Sequence, residues 1–350
     1  YTGHKDEGEM HRIQGEARYG LQDYLDAATS LETYVLSTSS PQRKALYKLG
    51  MSYYHAETFS KAVEALGKVA VEQDALSQNA YLHMGLAYLN LKERNQARMA
   101  FEQASLGNHD MDVKEQALYN YALCIHETSY SPFAESVHVF ERFLNEFPTS
   151  SYAEKANDYL IDVYMNTRSY EAALGSIDKI RQPGARILEA KQKILFRLGT
   201  QAFANADFPE AIRFLNESLT LGQYNAATKA DAYYWRGEAN YRLEKYQAAG
   251  SDLRHYLEFA TDKSSQEYGL ALYNLGYTEF KQKKYTEALN WFSRYVKRGS
   301  GNHRQIQADA YNRMGDCFFY ARNFESARQN YAKAADTEPS LGDYSLYQEG

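Results

Sequence analysis

Residues 272–292 read LYNLGYTEFKQKKYTEALNWF. Large apolar residues recur three and four apart on either side of the polar break Gln282-Lys283-Lys284. That spacing predicts two amphipathic helices, about Tyr268 to Lys281 and Thr286 to Lys297, joined by two or three turn residues. So short a turn forces the helices to run antiparallel as neighbours. Leu272, Leu275, Tyr285 and Phe292 supply bulk. Gly276 and Ala288 are small where the helices must approach closely. A mid-helix glycine costs about 1 kcal/mol relative to alanine, so its recurrence calls for a packing reason.

The stretch is not alone. LYKLGMSYYHAETFSKAVEAL from Leu46, YLHMGLAYLNLKERNQARMAF from Tyr81 and YNRMGDCFFYARNFESARQNY from Tyr311 align with it without a gap. The small anchor falls at Gly15, Gly50, Gly85, Ala122, Ile161, Gly199, Gly237, Gly276 and Gly315, with spacings of 35, 35, 37, 39, 38, 38, 39 and 39. Ile161 is the misfit. A near-constant period of this size is the mark of a solenoid, in which each unit buries its faces only against its neighbours. The expected fold is all-α: a right-handed α-solenoid of about nine antiparallel helix-turn-helix repeats, occupying residues 1–350 as a single array.

Irregularities cluster near the middle. The fourth frame carries two extra residues in its turn, Tyr130-Ser131-Pro132-Phe133. Gln182-Pro183-Gly184 stops a helix, and a long helical stretch, Ala185 to about Ala204, follows. A change of curvature near 181–185 and an ordinary long loop are both compatible with this. Residues 345–350 align with 271–276, so a tenth repeat begins at 343–350. The expectation is a fragment of a longer array.

Composition supports helices and excludes several functions. Six prolines in 350 residues are few. The net charge is -6 with both signs interspersed, whereas a nucleic-acid binder shows a basic balance or stripe. No apolar run approaches the roughly 18–20 residues of a membrane span. Two cysteines, Cys124 and Cys317, make neither a disulfide scaffold nor a zinc site; five stacking steps apart, both are expected reduced and packed against their helices. The chain opens on Tyr1 rather than Met, so the lack of a leader carries no information.

The frame resembles the tetratricopeptide repeat: large-x-x-large-Gly, then Tyr or Phe, then Ala, a large residue, Ala and Pro. The ninth frame carries it throughout in Tyr311, Met314, Gly315, Phe318, Phe324, Ala327, Tyr331, Ala334 and Pro339. The resemblance covers almost the whole chain. It implies a scaffold that binds a peptide or partner helix in a concave groove lined by the first helices, with no catalysis and no cofactor. Residues three before, one after and four after each anchor share that face. They include Tyr47, Tyr54, Tyr119, Phe196, Phe203, Tyr234, Glu238, Tyr241, Tyr273, Tyr277, Phe280, Asn312 and Asp316, with Asp309 and Phe319 beside them. Tyrosine gives wide contact area at low entropy cost. The repeat consensus also uses Tyr here for packing without a ligand, so both roles stay open.

Other constellations point elsewhere less strongly. The clamp by which some members grip a C-terminal carboxylate is broken here, since its places hold Tyr47, Met51, His83, Asp309 and Arg313. His126 and His138, with Glu135 and Glu141, read as solvated surface groups rather than a metal site. Lys297-Arg298-Gly299-Ser300-Gly301-Asn302 precedes a helix start but follows no strand, so it is a weak phosphate signal. No GxSxG, P-loop or HExxH motif occurs. The phrases at 147–156 and 234–238 look like repeats of bacterial cell-envelope members, the Tol-Pal-associated and outer-membrane assembly lipoprotein types. That likeness implies a periplasmic or outer-membrane-associated place, with attachment through regions outside this segment; a cytoplasmic place is the alternative. A structural spacer or assembly arm, and a regulatory module of a larger protein, are the other functional readings.

Overall fold

The computed structural model describes residues 5–128, 132–167, 169–298 and 303–349. Among them there is no strand. Helices pair in chain order: α1 (Lys5–Gly20) with α2 (Tyr24–Ser37), α3 (Arg43–His55) with α4 (Phe59–Gly67), α5 (Ala75–Asn90) with α6 (Arg94–Leu106), and α7 (Met111–Thr128) with α8 (Pro132–Glu146). α9 (Ala153–Asn166) and α10 (Tyr170–Ile177) follow. Then come α11 (Ala185–Ala204) with α12 (Phe208–Thr220), α13 (Ala226–Arg242) with α14 (Tyr246–Phe259), α15 (Gln266–Lys281) with α16 (Tyr285–Arg298), and α17 (Arg304–Tyr320) with α18 (Phe324–Thr337). A short 3-10 turn leads into α19 (Gly342–Glu349), at the place of a tenth first helix. The fold is an α-solenoid of helical hairpins, as the period requires.

The chain divides into two compact units. One comprises residues 1–167 and 178–183; the other comprises 168–177 and 184–350. The division falls inside the fifth frame, placing α9 in the first unit and α10 in the second. This frame has Ile161 where the others have a small anchor. Ile161 is half-buried, while Leu160 and Tyr164 are fully buried. The two extra turn residues of the fourth frame lie largely outside the described residues.

The anchor glycines explain hairpin closure. A Cβ added at Gly15, Gly50, Gly199 or Gly276 would lie 2.6–2.7 Å from the side chain sixteen residues on, namely Leu31, Leu66, Leu215 or Phe292. Each of those partners is fully buried, worth roughly 1.5–3 kcal/mol apiece. Glycine therefore lets the second helix seat a large side chain directly on the backbone of the first.

The turns are equally regular. Seven residues after an anchor, Gln22, Glu57, Lys92, Ala206, Glu244, Lys283 and Arg322 adopt φ between 56° and 63°. The amide after each reaches back five residues: Thr58 to Tyr53 O at 2.8 Å, Lys284 to Glu279 O at 3.0 Å, Asn323 to Phe318 O at 2.9 Å. This is the Schellman closure, normally served by glycine. An aromatic pair seals several of these turns edge-on, among them Tyr54–Phe59, Phe203–Phe208, Tyr241–Tyr246 and Phe280–Tyr285. Both cysteines are buried and reduced. Burial pushes the Cys124 thiol up to about 11 and the Cys317 thiol up to about 12. No described helix is long and apolar enough to cross a membrane.

Candidate functional site

Within the second unit first helices touch their neighbours, α11 with α13, α13 with α15 and α15 with α17, so residues at equal distance from each anchor form rows across them. In the second unit this row structure builds a cleft of about 210 Å³ lined by Glu238, Tyr241, Arg242, Tyr273, Asn274 and Tyr277. α13 supplies Glu238, Tyr241 and Arg242; α15 supplies the rest. The N-cap side chains of Asn225 and Ser265 fix where these helices start, accepting from Thr228 N and Tyr268 N.

The walls are held by polar contacts. Asn274 Nδ2 donates to Glu238 Oε1 across 2.6 Å. Tyr273 Oη donates to Asp309 Oδ2 at 2.7 Å, and Tyr277 Oη donates to the same oxygen. Arg313 steadies that carboxylate from the other side, with Nε 3.5 Å from Oδ1. The tyrosine rings meet edge-on, 5.1 Å apart, and both pack on Phe292. Burial and the Asp309 carboxylate push both hydroxyls well above the ordinary tyrosine range, and the charge of Tyr277 adds to the shift at Tyr273. Burial also pushes the Glu238 carboxyl up, against the opposing pull of Arg242 and Asn274. A half-buried carboxylate with one oxygen bonded, three tyrosines around it and a guanidinium at the mouth can orient a polar or charged side chain.

The sequence-derived face is only partly open. Glu238, Tyr241, Tyr273 and Tyr277 come together in the cleft. Tyr234 stands next to it, edge-on to Trp235 and Tyr256. Phe280 packs on Tyr285 and Tyr320, Phe203 on Phe208 and Trp235, and Phe196 is half-buried on α11. Tyr47 and Tyr54 belong to the first unit: Tyr47 Oη donates to Asn79 Oδ1 at 2.5 Å, and Tyr54 packs on Phe59 and His83.

Three expectations of an open side chain do not hold. Tyr119 is buried and stacks on Tyr152 with centroids 4.5 Å apart. Asn312 and Asp316 are buried as well. Ser345 Oγ donates to Asn312, while Tyr331 and Tyr344 donate to Asp316 Oδ1. The physical reason is α19, which packs on α18 and carries Ser345 and Tyr344 over this face.

His126 is also not a solvated group, because it packs against Tyr159 and Phe140 with its Nδ1 buried. His138 is exposed, 3.4 Å from Glu141. The glycine pair at 299–301 lies outside the described residues. Conversely, Arg242 and Asn274 were missed by the three-position rule. Asn274 sits beside Tyr273 in sequence and one turn before Tyr277, which places it at the edge of the same face.

The arrangement is that of a helical-repeat scaffold whose first helices present a polar, aromatic face. Residues 14–80, 78–105 and 267–337 each match a family model of the tetratricopeptide repeat, so the chain carries tetratricopeptide repeats. That repeat is a protein-interaction fold. No curated protein matches the sequence. Among solved structures, YrrB, a tetratricopeptide protein with an unusual peptide-binding site, is 20% identical over 64% of this chain and 95% of its own, with a TM-score of 0.40. The C-terminal part of a repeat-containing protein from Cytophaga hutchinsonii is 14% identical over 87% and 99%, TM-score 0.41. The TPR2AB domain of yeast Sti1, in its pHSP90 complex, is 17% identical over 84% and 98%, TM-score 0.38.

Proposed function

We propose that this chain is a non-catalytic scaffold and that the first-helix face of its second unit holds a peptide or partner helix, centred on the cleft between α13 and α15. The observation that carries this is the cleft itself. It joins three tyrosines with a carboxylate oxygen and a guanidinium that meet no partner elsewhere in the described residues. Concave sites with an apolar wall and a few convergent polar groups are the usual seats of ligands, and rigid tyrosines give contact area at low entropy cost.

The test is a displayed library of random twelve-residue peptides panned on the chain. Bound peptides are remeasured by fluorescence anisotropy against Tyr234→Ala plus Tyr273→Ala, with circular dichroism verifying the fold. Loss of affinity by about tenfold or more in the double variant supports the face, since interface anchors typically contribute above 1 kcal/mol. Unchanged affinity for every selected peptide sinks it. The envelope-like phrases at 147–156 and 234–238 support a place in a bacterial cell envelope as part of the same proposal. Recovery of the native protein solely in a cytosolic fraction would remove that part.

A further inference from the structure

Glu238 is the group whose chemistry the fold leaves unfinished. Its Oε1 accepts from Asn274 Nδ2, but Oε2 meets no donor among the described residues and the carboxylate forms no ion pair there. Burial raises the cost of its charge. Arg242, one helical turn on, is exposed at the mouth and does not close on it. Arg242 and the Asn274 contact ease its ionisation only in part against burial. Asp231 and Glu267 form no ion pair among the described residues, and Asp309 lies behind the Tyr273 and Tyr277 hydroxyls.

Three kinds of guest can be compared. A carboxylate inside the cleft would face Glu238, a like-charge contact in a partly desolvated site that the exposed Arg242 at the mouth offsets only in part. An apolar side chain would strip water from Oε2 and leave it without a donor, a penalty of about 1–3 kcal/mol or more. A cation supplies the missing donor as a charge-assisted hydrogen bond in a cleft walled by Tyr241, Tyr273 and Tyr277, aromatic side chains of the kind that attract positive charge. The volume of about 210 Å³ has room for one long side chain.

We infer that the cleft takes a single basic side chain, Lys or Arg, of the bound peptide, with its charged end on Glu238 Oε2. This rests on the peptide-binding reading above.

The experiment uses the peptides selected on the full chain whose affinity requires Tyr234 and Tyr273. Each Lys and Arg in them is replaced in turn by norleucine, and affinities are measured for wild type and Glu238→Gln, which keeps the shape and the Asn274 contact. The expected result is one basic position whose replacement weakens binding about tenfold in wild type and by less than threefold in Glu238→Gln. Peptides that need the tyrosines but show no basic position coupled to Glu238 overturn the inference while leaving the face intact. If no selected peptide needs the tyrosines, both readings fall together.

Discussion

Gly276 on α15 faces Phe292 on α16 so closely that a Cβ would lie 2.7 Å from the Phe292 ring. Alanine would gain about 1 kcal/mol of helix propensity. Overpacking against a fully buried ring costs typically 1–3 kcal/mol, and the ring cannot retreat because Tyr273 and Tyr277 pack on it. Gly276→Ala should therefore lose up to about 2 kcal/mol in urea denaturation. Gly175 on α10 meets nothing within 4 Å, and Gly175→Ala should gain about 0.5–1 kcal/mol. A gain at Gly276 would remove the packing explanation of the repeat.

Lys283 holds a left-handed φ of 60° at the turn between α15 and α16. Residues with a Cβ are strained there by about 1 kcal/mol, and glycine is not. Lys283→Gly should stabilise the second unit by about 0.5–1 kcal/mol, whereas Lys283→Val should destabilise it. The same melting point for both would count against the turn assignment.

Tyr47 is pushed from its ordinary 10.0 up to about 12, chiefly by burial and secondarily by Tyr19. The folded form thus keeps a proton that the unfolded chain releases first. Stability from this group is whole below pH 10 and is lost as pH rises toward 12. Melting temperatures measured from pH 8 to 11 should fall at the alkaline end, with a shallower slope in Tyr47→Phe.

Glu238 gives the carboxylate counterpart. Burial raises its folded value above the ordinary 4.5, so its favourable contribution is present in acid and disappears as pH climbs through the folded value. Glu238→Gln should raise the melting temperature at pH 7 and leave it unchanged at pH 4. A lower melting temperature at neutral pH would mean that the folded chain stabilises the ionised carboxylate, against the burial argument.

Cys124 and Cys317 lie in different compact units, both buried with thiols pushed up to about 11 and about 12. Only the thiolate reacts, so labelling with a maleimide at pH 7.5 should proceed through opening of each unit. Added urea should accelerate labelling of each thiol with the dependence of its own unit. Immediate labelling of either thiol without denaturant would contradict its burial.

Much of the fold was legible because it repeats. The spacing of glycines located the hairpins, the polar run marked the break at 282–284, and Gln182-Pro183-Gly184 marked the start of the helix from Ala185 to Ala204. The left-handed turn position was not legible from residue type, since Gln, Glu, Lys, Ala and Arg all occupy it; its distance from the glycine is the signal. The site was harder. Periodicity brought Glu238, Tyr241, Tyr273 and Tyr277 to one face, but it could not tell that α19 covers Asn312 and Asp316, or that Tyr119 stacks inward on Tyr152. Those outcomes depend on contacts between elements, which a single helix pattern does not contain.

From glycine to left-handed turn is seven residues wherever that turn is seen, and from glycine to its seated partner is sixteen, yet the frames themselves vary from 35 to 39. Each glycine-anchored hairpin is therefore a cassette of fixed gauge, and outside the fourth frame, which lengthens in its own turn, changes of length accumulate in the couplings from one cassette to the next. An added residue near Ser264, in the exposed coupling before α15, changes how far apart two cassettes can be set without disturbing either. The same residue added beside Lys283 puts Phe292 out of step with Gly276 and breaks the cassette. The array thus has joints for lengthening and others that must keep count, and the cleft lies where a coupling brings two cassettes together.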